Sequence, residues 1–175
     1  MNLKLKWEYF QRKINRALNK GSFCMIPWTH LYLAPDGNIS ACCLQNPDSA
    51  EFGNLKDTSF QQAWNSEPMK KLRLDLKGGM PRPDVCSRCY FREQHGQFSH
   101  RQEFNWRFRH LKDQALKNTL PDGTVKDMRL AYWDFRFSNT CNLRCRTCGP
   151  VYSSSDRKST RLNSSDTDRS RMPSS

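Results

Sequence analysis

The chain has 175 residues, a net charge of +12, eight cysteines and only 36% hydrophobic residues. That length allows one domain or slightly more, and the low apolar share predicts that part of the chain is polar or disordered. No apolar run approaches 18 residues, so a transmembrane helix is excluded as an expectation.

Residues 1–20 read as a basic amphipathic helix. Trp7, Phe10, Ile14 and Leu18 recur at helical spacing among Lys and Arg, and Gly21 ends it. The apolar stripe is narrow, which favours packing against a neighbouring domain over a membrane surface. The opening Met1-Asn2-Leu3-Lys4-Leu5-Lys6 lacks the long apolar core of a secretory signal, so a cytoplasmic location is expected. In a reducing compartment, clustered cysteines bind metal more often than they form disulfides.

From Ser22 the texture changes. Cys24-Met25-Ile26-Pro27-Trp28 leads into Leu31-Tyr32-Leu33, then the turn Pro35-Asp36-Gly37-Asn38, then Ile39-Ser40-Ala41-Cys42-Cys43. This predicts a β-hairpin turning at Asp-Gly, which brings Cys24 and Cys42 together. Glu51 to Leu55 reads as another turn. Ser59 to Leu76 reads as a helix carrying Phe60, Trp64, Met69, Leu72 and Leu74, with a break near Pro68. Gly78-Gly79, Pro81 and Pro83 mark a loop, followed by a tight Cys86-x2-Cys89 pair.

Cys24, Cys42, Cys86 and Cys89 make four thiolates, a complete shell for one zinc ion or one iron–sulfur cluster. Spacing alone leaves both open. Cys43 is a spare thiol, read as a buried apolar residue or an alternative ligand. His30, His95, His100 and His110 could each replace a ligand, but none has the spacing to displace a cysteine, and most are expected on the surface or on helices. The C-x12-G-x4-C pattern with C-x2-C, the Cys-Met-Ile-Pro-Trp opening, Gly53-Asn54 and the Trp64 helix resemble the SPASM/twitch domains of radical S-adenosylmethionine (SAM) enzymes. Tyr90 to His95 carries no further Cys, so the resemblance is to the shorter twitch form. It implies an auxiliary [4Fe–4S] cluster on these four residues.

Residues 94–118 read as one long helix in which Phe104, Phe108 and Leu111 share a face and Trp106 lies off it. Arg101, Arg107, Arg109 and His110 interleave with these aromatics, a texture also found in nucleic-acid binders. A connector helix with a solvated basic face is the favoured reading, and nucleic acid is not expected as a partner. Asn118 to Gly123 forms a turn, and Met128 to Phe137 then reads as a strand.

Cys141, Cys145 and Cys148 follow at C-x3-C-x2-C spacing, on a loop after that strand. The stretch from Phe135 to Cys148 resembles the first strand and cluster loop of a radical SAM enzyme, with Thr147 where the family has an aromatic. The resemblance implies that these three cysteines hold a [4Fe–4S] cluster whose open iron binds SAM, and that reductive cleavage of SAM starts radical chemistry. It implies a reductant such as flavodoxin or ferredoxin, and a substrate that in many such enzymes is a peptide. No residue is singled out as a catalytic acid, base or nucleophile.

After Tyr152 apolar residues nearly vanish. From Asp156 the residues resemble a translated sequencing adaptor, so 156–175 is expected to be a disordered or artefactual tail. The predicted fold class is α+β. The organisation is a helix at 1–20, a twitch-like iron–sulfur domain at 21–93, a connector at 94–127, the start of a radical SAM barrel at 128–155, and the tail. Such a chain is expected to be inactive alone. The alternatives are a structural zinc-binding protein and a basic RNA-binding module.

Overall fold

The computed structural model describes residues 21–45 and 52–136. The expected N-terminal helix, the cysteine loop at 141–148 and the tail lie outside them. The chain divides into two units, one of residues 1–33 with 37–134, the other of 34–36 with 135–175. The description concerns the first.

The element order is α1 (Ile26–Thr29), β1 (His30–Leu33), β2 (Ile39–Ser40), α2 (Phe60–Trp64), α3 (Glu67–Lys77), α4 (Pro83–Gln94), α5 (His100–Arg107), a 3-10 turn (Arg109–Leu111), α6 (Lys112–Lys117) and β3 (Tyr132–Phe135). This is a mixed α+β arrangement. The three strands form one sheet in the order β2-β1-β3. β1 and β2 are antiparallel, with Tyr32 opposite Ser40 and Leu33 opposite Ile39. The predicted hairpin is therefore present, though its second strand stops before the cysteines. Gly37 turns it at φ +89°, a conformation that favours glycine. The Gly53-Asn54 turn packs on its tip, with Ile39 donating its N–H to the Gly53 carbonyl and Leu55 to that of Gly37.

The helices begin where their sequences permit. Ser59 and Ser99 each cap a helix, α2 and α5, and each forms a reciprocal box with the Gln three residues on. Pro27, Pro68 and Pro83 each occupy the first turn of a helix, where a missing N–H costs nothing. The stretch read as Ser59–Leu76 is thus two helices, broken just before Pro68. Its inward face carries Trp64, Met69, Leu72 and Leu76, while the expected Leu74 is exposed. The loop expected at Pro83 is instead the start of α4, which carries Cys86 and Cys89.

The single helix expected over 94–118 is not formed. α4 ends at Gln94, Gly96 takes φ +74°, and the Ser99 box starts a new helix. A second break follows at Phe108, the C-cap of α5, which leads into the 3-10 turn. Phe104 and Phe108 are buried and Trp106 is exposed, as their positions on the helix predict. β3 is shorter than the predicted 128–137 strand.

The core consists of Met25, Leu31, Phe52, Trp64, Met69, Leu72, Leu76 and Val85, all nearly inaccessible. It fixes α3, α4 and the hairpin around the cysteines.

Candidate metal centre

Cys24 precedes α1 on a backbone clamped from both sides by α5. Arg101 Nη1 and Asn105 Nδ2 donate to the carbonyl of Phe23 at 2.8 and 2.9 Å. The N–H of Met25 donates to Asn105 Oδ1 at 2.8 Å. Residues 101 and 105 lie on one face of α5, at i and i+4, so one helix grips both peptides flanking the thiol.

Cys42 follows β2 in a tight turn. The N–H of Gln45 donates to the Cys42 carbonyl at 3.1 Å, and the Gln45 side chain accepts from the N–H of Ala41 at 2.9 Å. Cys86 and Cys89 both lie on α4, three residues apart and so on one face.

These four residues line one cavity of about 40 Å³, together with Cys43, His30 and apolar side chains that include Leu72, Leu76, Val85 and Phe104. The volume exceeds the ~10–15 Å³ that one water requires. None of the described cysteines forms a disulfide. Among the described residues, no three His, Cys, Asp or Glu side chains converge closely enough to hold a single metal ion.

Burial sets the chemistry of all four thiols, raising each above its ordinary range and Cys86 to about 11. In water-free surroundings a thiolate needs a compensating cation or hydrogen bonds. Polar neighbours pull each thiol the other way, against burial. The N–H of Ile26 serves Cys24, the N–H of Leu44 serves Cys42, and the Tyr90 hydroxyl serves Cys86. Cys89 receives the N–H groups of Arg101 and His100, at the start of α5. This donor set suits thiolates bound to a metal, whose charge offsets the cost of their burial.

His30 departs from the sequence expectation. It is fully buried on β1. Its Nδ1 lies 3.0 Å from the carbonyl oxygen of Tyr132, and its buried Nε2 has no hydrogen-bond partner among the described residues. His95, His100 and His110 are exposed, as anticipated. Cys43 shares the cavity wall. Also missed by the sequence reading were the roles of Arg101 and Asn105, which hold the peptides on either side of Cys24 from a stretch read as a connector, and of Glu93, which pairs with Arg101. Their only local signal was the Ser99-x-x-Gln102 capping box, which marks a fresh helix start. Cys141, Cys145 and Cys148 lie outside the described residues.

Residues 24–90 match the family model of SPASM, an iron–sulfur cluster-binding domain. The match begins at Cys24 and ends one residue after Cys89, so it contains all five cysteines of the cavity. It covers less than half of the chain. No curated protein and no solved structure matches the chain.

Proposed function

We propose that the chain is part of a radical SAM enzyme and that Cys24, Cys42, Cys86 and Cys89 hold an auxiliary [4Fe–4S] cluster in it. One observation carries the cluster assignment. Cys24, Cys42, Cys86 and Cys89 line a single cavity, with Cys43 beside Cys42, inside a segment that matches an iron–sulfur-binding domain. Four cysteines would suit zinc equally, and it is the match to an iron–sulfur-binding domain that favours the cluster.

The residues present fit the cluster. Cys24 and Cys89 are buried and Cys42 and Cys86 half-buried, and burial of the sulfurs is one of the protein's main controls over such a centre. The clamp from α5 holds Cys24 still, and α4 fixes the separation of Cys86 and Cys89.

The radical SAM reading rests on the C-x3-C-x2-C stretch. There Cys141, Cys145 and Cys148 would hold a second [4Fe–4S] cluster and SAM. Such a cluster supplies, when bound, the electron that cleaves SAM into methionine and a deoxyadenosyl radical. The substrate class is a peptide and the location the cytoplasm. The reductant is a flavodoxin or ferredoxin, and a chain of net charge +12 suits an acidic donor of that kind. An RNA-binding role gains no support from the arginine–aromatic stretch. Arg109 lies over Trp106 at 4.0 Å and Arg107 over Phe108 at 5.8 Å, so these rings already face guanidinium groups of their own chain.

Anaerobic reconstitution tests the proposal, with iron and sulfide counted against zinc per chain. About eight irons, falling to about four in both Cys86→Ala and Cys141→Ala, are expected for two four-iron clusters. About four irons that survive Cys141→Ala but not Cys86→Ala would remove the radical SAM part. Zinc uptake with no iron would overturn the whole reading.

A further inference from the structure

The Glu93–Arg101 ion pair stands at the edge of the cysteine cavity. Arg101 donates from Nε to Glu93 Oε1 at 2.9 Å and from Nη2 to Oε2 at 2.6 Å, a two-pronged contact. The Arg101 side chain is 2% exposed and that of Glu93 19%. Ser99 Oγ donates to the same carboxylate. Arg101 lines the cavity beside Cys24 and Cys89, and its third arm holds the carbonyl preceding Cys24.

Packing alone does not account for this pair. Removing two charges from water costs several kcal/mol, and apolar residues of the same volume often serve stability as well or better. The clamp on Phe23 does not require it either, because Asn105 donates to the same carbonyl. What a buried charge does in such a place is set a potential. One-electron reduction of a cluster adds negative charge to the thiolate and sulfide cage. A guanidinium beside the cage favours the reduced state, and a carboxylate disfavours it. The N–H groups at the start of α5, which meet the Cys89 sulfur, act in the same sense as the guanidinium.

We propose that the Glu93–Arg101 pair sets the reduction potential of the cluster held by Cys24, Cys42, Cys86 and Cys89, Arg101 raising it and Glu93 lowering it. This rests on the cluster reading above. Both are positioning residues that act on the cluster through space.

The test uses the full chain carrying Cys141→Ala, Cys145→Ala and Cys148→Ala, so that only this cluster contributes. Dithionite, oxidised to sulfite, delivers one electron per cluster and takes it from [4Fe–4S]2+ to [4Fe–4S]1+. The reduced fraction is read by electron paramagnetic resonance at fixed mediator potentials. Glu93→Gln, which keeps an acceptor for Arg101, is expected to raise the reduced-to-oxidised ratio about tenfold at a given potential. That corresponds to about 59 mV for a one-electron couple. Arg101→Gln is expected to shift it in the opposite direction, and the double variant to lie between them. Glu93→Gln alone decides the matter should Arg101→Gln lose iron. A full iron content with no shift, or with a downward shift, overturns the proposal and leaves the cluster reading intact. A parent chain that takes up zinc and no iron overturns the cluster reading, and this proposal with it.

Discussion

Arg73 Nε donates to the carbonyl oxygen of Pro27 at 2.9 Å, joining the middle of α3 to the first turn of α1 across 46 positions of chain. The side chain is fully buried. Its Nη1 reaches Asn65 Oδ1 at 3.1 Å and the Gly123 carbonyl at 3.4 Å, and the guanidinium lies 4.6 Å from the centre of the Trp64 ring. One cation thus gathers the segment after Cys24, the α2–α3 junction and the 119–125 turn.

Arg73→Met tests that role. Methionine restores the bulk but no donor, and at least two buried acceptors lose their partner. At about 1–3 kcal/mol for each unsatisfied group, the variant should lose about 2–6 kcal/mol of stability. Denaturant midpoints would measure it, and a loss under about 1 kcal/mol would remove Arg73 from this structural role.

Gly123 and Gly79 both take positive φ, +88° and +78°, but their surroundings differ. A Cβ on Gly79 meets nothing within 4 Å, whereas one on Gly123 collides with the Lys70 backbone carbonyl. Gly79→Ala should cost only the conformational term, about 1–2 kcal/mol. Gly123→Ala should cost clearly more, because a helix backbone has to move. Equal losses in thermal unfolding would show that the 119–125 turn does not press on α3.

Much of this arrangement was legible in the sequence, and what was not has a physical cause. The Asp36-Gly37 hairpin and the Pro68 break are local events, decided by residues within four positions. The α4 start was misread because Pro83 signals a loop and a first helical turn equally well. The 94–118 helix was overextended because aromatic periodicity runs through Gly96 and Ser99, which interrupt the backbone without interrupting the pattern. Arg73, Arg101 and Asn105 were invisible for another reason. Their partners lie 46 to 82 positions away, and no local rule connects them. The thiols could be grouped because metal chemistry constrains their number and type, which links distant residues through a common requirement.

His30 predicts a pH dependence. Burial holds its pKa below the ordinary value, against an opposing pull from the Tyr132 carbonyl and the charge of Asp134. The unfolded chain, with a histidine near 6.5, therefore takes up a proton more readily than the folded one, and protonation favours unfolding. The stability tied to neutral His30 is intact above about pH 6.5. It is lost as the pH falls from there towards the folded pKa, by at most about 1.4 kcal/mol per pH unit. His30→Gln, whose amide can still donate to the Tyr132 carbonyl, should flatten stability between pH 7 and 5.5. Parallel curves for the two proteins would assign the acid sensitivity elsewhere.

Cys42 and Cys43 separate a ligand from its neighbour. Both line the cavity, and they are adjacent in the chain. Cys42 follows the hairpin in a turn held by Ala41 and Gln45, and burial raises its thiol more than the charges of the other cysteines do. A metal that takes Cys42 as thiolate offsets that burial, so losing the ligand should cost both metal and stability. Cys42→Ser is expected to lose most of the iron at this site and the thermal stabilisation that reconstitution confers. Cys43→Ser should keep the four irons of this site and most of the gain in Tm. The measurement is iron content alongside melting before and after anaerobic loading. If Cys43→Ser loses the metal and Cys42→Ser keeps it, the hairpin delivers the second of these thiols, and the ligand set is Cys24, Cys43, Cys86 and Cys89.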